Sequence, residues 1–355
     1  MKALVLSGGK GTRLRPITHT GAKQLVPIAN RPILAYVLDN IANVGIKEVG
    51  MIISPETGDE IRQTIGNGSD WGISITYIVQ KNPQGLAHAV LIGRNFLEND
   101  PFVMYLGDNL IGCRIGKFIR TFKDTNADAV ILLKTVDNPS DFGVAETDGN
   151  GKIIRLLEKP ENPPSNLALV GVYVFSPLIH KAIMAIKPSS RGELEITDAI
   201  QYLVNMGHHV HSDILNTWWL DTGKKDDLLA ANTIVLDEWI NQGISGQVDT
   251  KTQITGRVKI EAGAKIKNSI LRGPIVVGTG VLIEDSFVGP YTSIGANTRI
   301  KESVIEHCVI MTGAEIDHVD RMEDSLIGRN AKVFKCHHRH QAFRLMIGDD
   351  SIVEV

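Results

Sequence analysis

The 355-residue sequence has few cysteines and no long apolar segment. Its three cysteines, Cys113, Cys308 and Cys336, are widely spaced and odd in number, which favours reduced thiols over a disulfide framework. No apolar run approaches the ~18 residues of a membrane-spanning helix, and the first apolar stretch, which ends at Leu6, is too short for a secretory signal. We therefore expect a cytoplasmic protein with no membrane partner.

A large excess of either charge is also missing. The net charge is −3 and charged residues make up 22% of the chain. A dedicated nucleic-acid-binding protein usually has a broad basic face, so we expect no nucleic-acid partner. The length exceeds what one compact core usually organises, which favours two domains.

The beginning of the sequence has no acidic residues, and the first one is Asp39. In this stretch an apolar strand at residues 3–6 leads into a glycine-rich turn at residues 8–11, followed by Arg13 and Lys23. Backbone N–H groups of such a turn can approach an anion closely, and nearby cationic side chains add charge. The pattern predicts a polyphosphate site.

Two familiar phosphate loops do not fit this turn. A dinucleotide-binding GxGxxG starting at Gly9 requires glycine or alanine at position 14, where this chain has Leu14. A Walker loop requires lysine directly after its final glycine, whereas Lys10 precedes Gly11. The loop therefore binds phosphates by a pattern of its own.

The first 240 residues alternate strand-like and helix-like patterns. Leu34, Val37, Leu38 and Ile41 have helical spacing, and a closing helix is expected around residues 228–239. The apolar runs of strand length lie at residues 49–53, 73–79, 102–106, 129–133 and 167–175. The alternation predicts an α/β fold with a largely parallel sheet, helices on both faces and ligands at the carboxyl ends of the strands.

From about residue 250 the apolar period becomes six. A hexad repeat with interspersed glycines is typical of a parallel β-helix, whose coils bury their apolar faces only against one another. Residues 243–250 are predicted to be the linker. The residues assigned to the repeat are Ile254, Ile260, Ile266, Ile270, Val276, Leu282, Val288, Ile294, Ile300, Val304, Ile310, Ile316, Ile327 and Val333.

Seven segments in a fixed order carry a family resemblance. They are LVLSGGKGTRLRPITHTGAKQLVP at 4–27, QKNPQGLAHAV at 80–90, YLGDN at 105–109, FGVAE at 142–146, LEKPENPPSNLALVGVY at 157–173, RGELEITDAI at 191–200 and WLDTG at 219–223. Together they resemble the sugar-1-phosphate nucleotidyltransferases, in the branch that makes dTDP-glucose from glucose 1-phosphate and dTTP. The tail is similar to that of the longer form of these enzymes.

The resemblance implies a Rossmann-like nucleotidyltransferase domain at residues 1–242 with a mostly parallel, mixed sheet. A left-handed hexapeptide-repeat β-helix would follow at residues 251–355. The family also implies a homo-oligomer, with the β-helix used for structure and subunit association.

The implied reaction is displacement at the α-phosphorus of a nucleoside triphosphate, with pyrophosphate leaving. The nucleophile, the phosphate of a sugar 1-phosphate, has a second pKa near ~6 and is mostly dianionic at neutral pH. It needs no base to activate it, so catalysis should come from positioning and charge neutralisation.

The family pattern assigns five catalytic residues. Arg13 would contact the β- and γ-phosphates, Lys23 the α-phosphate, and Lys159 the attacking sugar phosphate. Asp108 and Asp221 would bind Mg²⁺, a hard ion often held by one or two carboxylates and phosphate oxygens.

The resemblance also implies the binding residues. Gln80 would read the thymine edge, which uracil shares, so the thymine methyl would supply only about 1–3 kcal/mol of discrimination against UTP. Phe142 stands where many relatives carry tyrosine, so any hydroxyl contact from that position is absent. The other nucleotide-binding residues would be Leu6, Gly8, Gly9, Gly11, Thr12, Gln24, Pro83, Gly85 and Gly107. The sugar-phosphate-binding residues would be Asn109, Gly143, Glu158, Val170, Gly171 and Glu193, together with Lys159.

Three alternatives stay open at this point. The same chemistry could use UTP or another sugar 1-phosphate. Hexad β-helices also house acyltransferase sites, for which His307 or His318 could be a base. A regulatory subunit that binds nucleotide sugars without catalysis is the third, although all five catalytic positions are intact. A metal site in the histidine-rich tract at residues 336–340 is disfavoured, because adjacent residues do not converge easily on one ion.

Overall fold

The structure is a computed structural model that describes residues 1–9, 11–19, 21–149, 151–223 and 225–335. Lys10 and the tract at residues 336–340 lie outside the described residues. The chain divides into two compact units. The sheet unit comprises Met1–Lys10, Gly21–Leu25 and Ile33–Asp221, and the coil unit comprises Gly11–Thr20, Val26–Pro32 and Thr222–Val355. Within the described ranges, no helix is long and apolar enough to cross a membrane.

The elements of residues 1–239 include all the strands and helices expected there. The strands are β1 (Lys2–Ser7), β2 (Pro27–Ile28), β3 (Arg31–Pro32), β4 (Glu48–Ile53), β5 (Ser74–Val79), β6 (Phe102–Leu106), β7 (Asn109–Ile111), β8 (Ala129–Thr135), β9 (Gly143–Thr147), β10 (Ile153–Glu158), β11 (Leu167–Phe175), β12 (Val210–Ile214) and β13 (Trp219–Asp221). The helices are α1 (Ile33–Asn43), α2 (Gly58–Ile65), α3 (Leu86–Ile92), α4 (Arg94–Leu97), α5 (Gly116–Asp124), α6 (Ile179–Ala185), α7 (Ile196–Asn205) and α8 (Lys225–Trp239). Short 3-10 turns cover Thr12–Leu14, Lys23–Leu25, Ser69–Trp71 and Pro139–Asp141.

The main sheet is mixed. Its strand order is β10-β9-β11-β6-β1-β4-β5, with β8 pairing β11 and β12. Strands β6, β1, β4 and β5 are parallel, whereas β11 runs antiparallel to β6, β8 and β9. The alternation of strands and helices predicted the parallel part, and the mixed sheet implied by the family resemblance is confirmed.

Apolar helix faces cover both sides of this sheet. One buried cluster includes side chains of α1, α2 and α5, and the other includes side chains of α3, α6 and α7. In α1 the four residues with helical spacing are all fully buried, at 0% exposure. Burial of this apolar stripe fixes the helix against the sheet.

The coil unit contains the β-helix. Its strands are β14 (Gly243–Ile244), β15 (Gln247–Val248), β16 (Gln253–Thr255), β17 (Val258–Ile260), β18 (Lys265–Lys267), β19 (Ile270–Arg272), β20 (Ile275–Val277), β21 (Leu282–Glu284), β22 (Phe287–Val288), β23 (Thr292–Ile294), β24 (Arg299–Lys301), β25 (Val304–Ile305), β26 (Val309–Ile310), β27 (Glu315–Asp317), β28 (Leu326–Ile327) and β29 (Lys332–Phe334). They form three parallel sheets, ordered β14-β17-β20-β23-β26-β28, β15-β18-β21-β24-β27-β29 and β16-β19-β22-β25. Residues 243–250, expected as a linker, instead contain β14 and β15, which pair with β17 and β18 of the next coil.

Most coils of the β-helix repeat after 17 residues. Val258 pairs with Ile275, 17 positions later, and the inward positions are separated by steps of six, five and six. Four of the predicted repeat positions are therefore wrong by one residue: the buried cluster contains Leu271, Val277, Ile283 and Ile305 instead of Ile270, Val276, Leu282 and Val304. Ile270 is 38% exposed. A one-residue shift moves a strand side chain to the opposite face. The inward residues of this stretch are Ile260, Ile266, Leu271, Val277, Ile283, Val288 and Ile294.

Ser269, Ser286 and Ser303 are also 17 positions apart, and they form a ladder of hydrogen bonds between neighbouring coils. The Ser269 hydroxyl accepts from the backbone N–H of Ser286 at 3.1 Å, and the Ser286 hydroxyl accepts from the N–H of Ser303 at 3.1 Å. These serines are at most 6% exposed. The ladder thus supplies hydrogen bonds at corners where strand pairing stops.

Helix α8 is tied to the β-helix within the coil unit. Asn232, fully buried, accepts from the N–H of Ala29 at 2.9 Å and donates to the carbonyl of Tyr291 at 2.9 Å. The Asn30 amide donates to the carbonyl of Ile294 at 2.6 Å. The helix that ends the expected catalytic region is therefore packed as part of the coil unit.

Candidate active site

The carboxyl ends of four parallel strands meet at one edge of the sheet unit. Ser7, at the end of β1, pairs with Ile53 at the end of β4. The N–H of Gln80 donates to the carbonyl of Ile53 at 2.8 Å, and the N–H of Gly107 donates to the carbonyl of Leu6 at 2.9 Å. The glycine loop, Gln80 and the LGD segment therefore lie along one edge, as expected for an α/β ligand site.

Lys23 and two aspartates form a compact charged cluster at this edge. The Nζ of Lys23 lies 2.6 Å from Oδ2 of Asp108 and 3.9 Å from Oδ1 of Asp221. Strands β7 and β13 form an antiparallel pair in which Asn109 faces Asp221, so the pairing brings both carboxylates to one place. The side chain of Lys23 is only 11% exposed. The structure thus joins three of the five predicted catalytic residues.

The same two carboxylates fit a hard divalent cation. Lys23 shows that a positive charge is held between them, and carboxylate oxygens are the ligands that such ions prefer. Among the described residues, no cluster of three or more His, Cys, Asp or Glu side chains could hold a metal. An ion at Asp108 and Asp221 would therefore complete its shell with oxygens of substrate and water.

Asn109 links Asp108 to Gly171 and to strand β13. Its amide donates to Oδ1 of Asp108 at 3.0 Å, while its Oδ1 accepts from Nε1 of Trp219 at 2.7 Å and from the N–H of Gly171 at 3.3 Å. A Cβ on Gly171 would stand 2.6 Å from Leu106, so this position needs glycine. Asn109 is 2% exposed, and its contacts lock the β7–β13 pair.

Glu158 lies in a second polar cluster. Its Oε2 accepts from the Thr197 hydroxyl at 3.2 Å, and a Cβ on Gly143 would approach that oxygen to 3.2 Å. Arg191 lies 3.8 Å from Oε1 of Glu158 and 3.3 Å from the buried carboxylate of Glu195. Burial and, secondarily, the charge of Glu195 raise the pKa of Glu158, while Lys159, Arg191 and Thr197 oppose the rise.

Two buried polar atoms under the glycine loop have no hydrogen-bond partner within the described residues. They are the hydroxyl of Ser7 and Oε1 of Gln24. A Cβ on Gly107 would stand 2.4 Å from the Ser7 hydroxyl, and one on Gly9 would stand 3.5 Å from the Gln24 amide. Unsatisfied buried polar groups are costly, and a bound polar ligand would satisfy them.

Gln80 lies beside the glycine loop and the start of α3. It is 8% exposed, and its Oε1 lies 3.4 Å from where a Cβ on Gly8 would stand. Gly85 begins α3 with φ 96°, and a Cβ there would clash with Leu194 at 2.4 Å. Pro83 is exposed in the intervening loop.

The remaining predicted residues make fewer side-chain contacts with these clusters. Lys159 is exposed, with a positive φ of 41°, and its N–H donates to the carbonyl of Phe142 at 3.0 Å. Val170 is fully buried, so only its backbone can face a ligand. Glu193 pairs with Arg191 at 2.8 Å. Arg13, with Gly11 and Thr12, belongs to the coil unit, and the roles of these three stay predictions.

Several residues of the two clusters were not anticipated. Thr197 and Arg191 lie in the RGELEITDAI segment, and Trp219 lies in WLDTG. The position of these residues in family motifs could therefore have indicated that they belong to the site. The Trp219 ring packs against that of Phe142, with centroids 4.9 Å apart. Glu195 was not anticipated either, nor, outside the two clusters, were Ser7 under the glycine loop and His88 beside Gln80.

Comparison with known proteins agrees with this architecture. The nucleotidyl transferase family model matches residues 2–238, and the GlmU-like C-terminal hexapeptide model matches residues 241–336. The chain is 50% identical to the glucose-1-phosphate thymidylyltransferase of Streptomyces antibioticus, over 100% of this chain and 99% of that protein. It is 47% identical to the Streptomyces griseus enzyme of the same name, again over 100% of this chain and 99% of that protein.

A solved structure shows the same fold over about two thirds of the chain. It is a Bacillus anthracis protein assigned as a glucose-1-phosphate thymidylyltransferase and crystallised with sucrose. The two are 34% identical, with a TM-score of 0.63, over 68% of this chain and 97% of that one.

The fold and the family model together define a nucleotidyltransferase: the chain belongs to the nucleotidyl transferase family. Within it the chain is a member of the glucose-1-phosphate thymidylyltransferases that carry a C-terminal, left-handed hexapeptide β-helix. The substrates of this family are a nucleoside triphosphate and a sugar 1-phosphate, and its reactions generally need a divalent metal ion.

Proposed function

We propose that this chain joins dTTP and α-D-glucose 1-phosphate to give dTDP-glucose and pyrophosphate, with Mg²⁺ at Asp108 and Asp221. The single observation that carries the site assignment is Lys23, whose ammonium lies between these two carboxylates at the carboxyl edge of the sheet. A cationic side chain and two acidic side chains at one point suit a reaction in which one phosphate attacks another.

In this proposal the cationic residues divide the charge of the reaction. Arg13 neutralises the β- and γ-phosphates that leave as pyrophosphate. Lys23 offsets charge that gathers around the α-phosphorus, and Lys159 holds the attacking phosphate. Mg²⁺, when bound, draws electron density from phosphate oxygens and so lowers the barrier to attack.

The glycine loop gives the triphosphate its close contact with the backbone. Leu6, Gly8, Gly9, Gly11 and Thr12 would line it. Gln24 and Gly107 close the floor under the phosphates, where the unpartnered Gln24 and Ser7 oxygens support a polar ligand.

Gln80 reads the base, helped by Pro83 and Gly85 at the start of α3. Its amide offers a donor and an acceptor side by side, which match O4 and N3–H of thymine. Because uracil has the same edge, we expect some use of UTP.

The sugar is held by the Asn109 and Glu158 clusters. Glu158 accepts hydrogen bonds from sugar hydroxyls. Gly143 and Gly171 let these clusters pack closely, since a Cβ would stand 2.7 Å from Thr197 and 2.6 Å from Leu106, respectively. Val170 contributes its backbone, and Glu193 fixes Arg191 beside Glu158.

We further propose a catalytic domain at residues 1–242 and a β-helix domain that associates subunits into a homo-oligomer. The described thiols, Cys113 and Cys308, are free, in keeping with a cytoplasmic enzyme.

The test is a matrix of five nucleoside triphosphates against the 1-phosphates of glucose, mannose, galactose and N-acetylglucosamine, read by pyrophosphate release. We expect the highest kcat/KM for dTTP with glucose 1-phosphate. A preference for ATP or GTP would overturn the base assignment, and no activity with any pair would favour a regulatory nucleotide-sugar-binding protein.

A further inference from the structure

The base-reading glutamine has a partner on the neighbouring helix. Nε2 of Gln80 lies 2.9 Å from Nδ1 of His88, on the first turns of α3. The backbone of Gln80 is fixed by its hydrogen bond to Ile53, and Gly8 borders the Oε1 side of the amide. The side chain is therefore restrained at both ends.

With the Gln80 amide oriented as in the structure, the chemistry of the two nitrogens fixes which one donates. An amide nitrogen donates hydrogen bonds and does not accept them, because its lone pair is delocalised. Gln80 must then donate, and Nδ1 of His88 must be the unprotonated, accepting nitrogen of a neutral ring with its hydrogen on Nε2. Burial lowers the pKa of His88, which also favours the neutral ring.

This hydrogen bond distinguishes two orientations of the Gln80 amide. With Nε2 toward His88, the second amide hydrogen and Oε1 present a donor and an acceptor in the order that thymine needs. If the amide were rotated by half a turn, Oε1 would face Nδ1, and the contact would be favourable only if the ring moved its hydrogen from Nε2 to Nδ1. The rotated amide would present the reverse order, which matches the exocyclic amine and N3 of cytosine.

We propose that His88 is a positioning residue for base specificity: by accepting from Gln80 it holds the amide in the orientation that matches thymine and disfavours cytosine. This inference rests on the proposed function, in which Gln80 reads the base. Sequence alone did not point to His88, because its role depends on the contact across the loop between β5 and α3.

The test compares two substitutions of almost the same shape. His88→Asn keeps an accepting oxygen close to the position of Nδ1, whereas His88→Leu removes it. The readout is kcat/KM for dTTP and for dCTP, each with glucose 1-phosphate, with KM for glucose 1-phosphate as an internal control.

We expect His88→Leu to lower the ratio of kcat/KM for dTTP to that for dCTP by roughly 2- to 13-fold, the value of one neutral hydrogen bond. The change should lie in KM for dTTP, with KM for glucose 1-phosphate unaltered, and His88→Asn should restore the ratio. An unaltered ratio in the Leu variant, or equal ratios in the Leu and Asn variants, would overturn the inference alone. A wild-type enzyme with no preference for dTTP over dCTP would overturn the base assignment and the inference together.

A measurement on the unsubstituted enzyme covers the case in which the Leu variant does not fold. Nitrogen-15 NMR of histidine-labelled enzyme distinguishes the two neutral tautomers. We expect His88 to carry its hydrogen on Nε2 at pH 8, and a hydrogen on Nδ1 would contradict the proposed contact.

Discussion

Lys23 and Asp108, 85 positions apart in the chain, lie 2.6 Å apart in the structure, with Asp221 3.9 Å from the same ammonium. This three-membered cluster joins the glycine-loop region, the end of β6 and the β7–β13 pair. Its electrostatic balance depends on both carboxylates.

The first prediction concerns Asp108. Asp108→Asn removes a negative charge from the proposed metal site, and we expect a loss of kcat/KM of roughly 100-fold or more, together with a higher metal concentration for half-maximal activity. Pyrophosphate release across a Mg²⁺ titration measures both. Asp100→Asn, at the opposite end of β6, is the matched control and should retain full activity. Normal turnover in Asp108→Asn would contradict the assignment of Asp108 as a metal ligand.

The second prediction concerns Arg13. Arg13→Ala removes the guanidinium assigned to the leaving pyrophosphate, and we expect kcat to fall by about 10²- to 10³-fold. Arg15→Ala removes the same charge two positions away and should have a much smaller effect. Steady-state kinetics of both variants separate a specific phosphate contact from general positive charge. Equal losses in the two would show that Arg13 has no special position.

The third prediction is a pH dependence. Burial raises the pKa of Glu158, so its carboxylate becomes protonated at a higher pH than an ordinary glutamate, and one of its accepting oxygens then becomes a donor. We expect KM for dTDP-glucose in the reverse reaction to rise as pH falls through that raised pKa. The reverse reaction is chosen because the diphosphate of dTDP-glucose does not titrate there, unlike glucose 1-phosphate.

Glu158→Gln is the control for that experiment. Its amide does not titrate, so KM should be higher at neutral pH and should no longer depend on pH through this group. Parallel pH profiles in the wild type and in Glu158→Gln would contradict a role for Glu158 in sugar binding.

The fourth prediction concerns the serine ladder of the β-helix. Ser286→Ala leaves the N–H of Ser303 without its acceptor, and we expect a loss of about 1–3 kcal/mol in the stability of the coil. Hydrogen exchange of peptides that contain Ser303 measures the effect locally. Thr279→Ala, at an exposed position, should change exchange by less than about 0.5 kcal/mol. Similar effects of the two substitutions would argue against the ladder.

The sequence predicted the strands and helices well where apolar spacing decides them. The four spaced residues of α1 and the strand ahead of the glycine loop are where periodicity places them. The β-helix was predicted as a class, but four inward positions, including the one near Ile270, were wrong by one residue. A six-residue period does not reveal which corner of a coil is one residue shorter, and that corner decides the face.

The candidate site was predicted in part because its residues lie in recognisable motifs. Lys23, Asp108 and Asp221 were expected together, and the structure shows their contact. His88, Thr197 and Arg191 were not anticipated, since each acts on a residue distant in sequence or across a loop. Such contacts depend on tertiary packing, which spacing along the chain does not encode.

The most direct test of the central claim follows the oxygens of the sugar phosphate. Glucose 1-phosphate labelled with oxygen-18 in its non-bridging phosphate oxygens is converted with dTTP, and both products are analysed by mass spectrometry. Attack of this phosphate on the α-phosphorus predicts that all of the label is found in dTDP-glucose and none in pyrophosphate. Label in pyrophosphate, or no dTDP-glucose, would contradict the account.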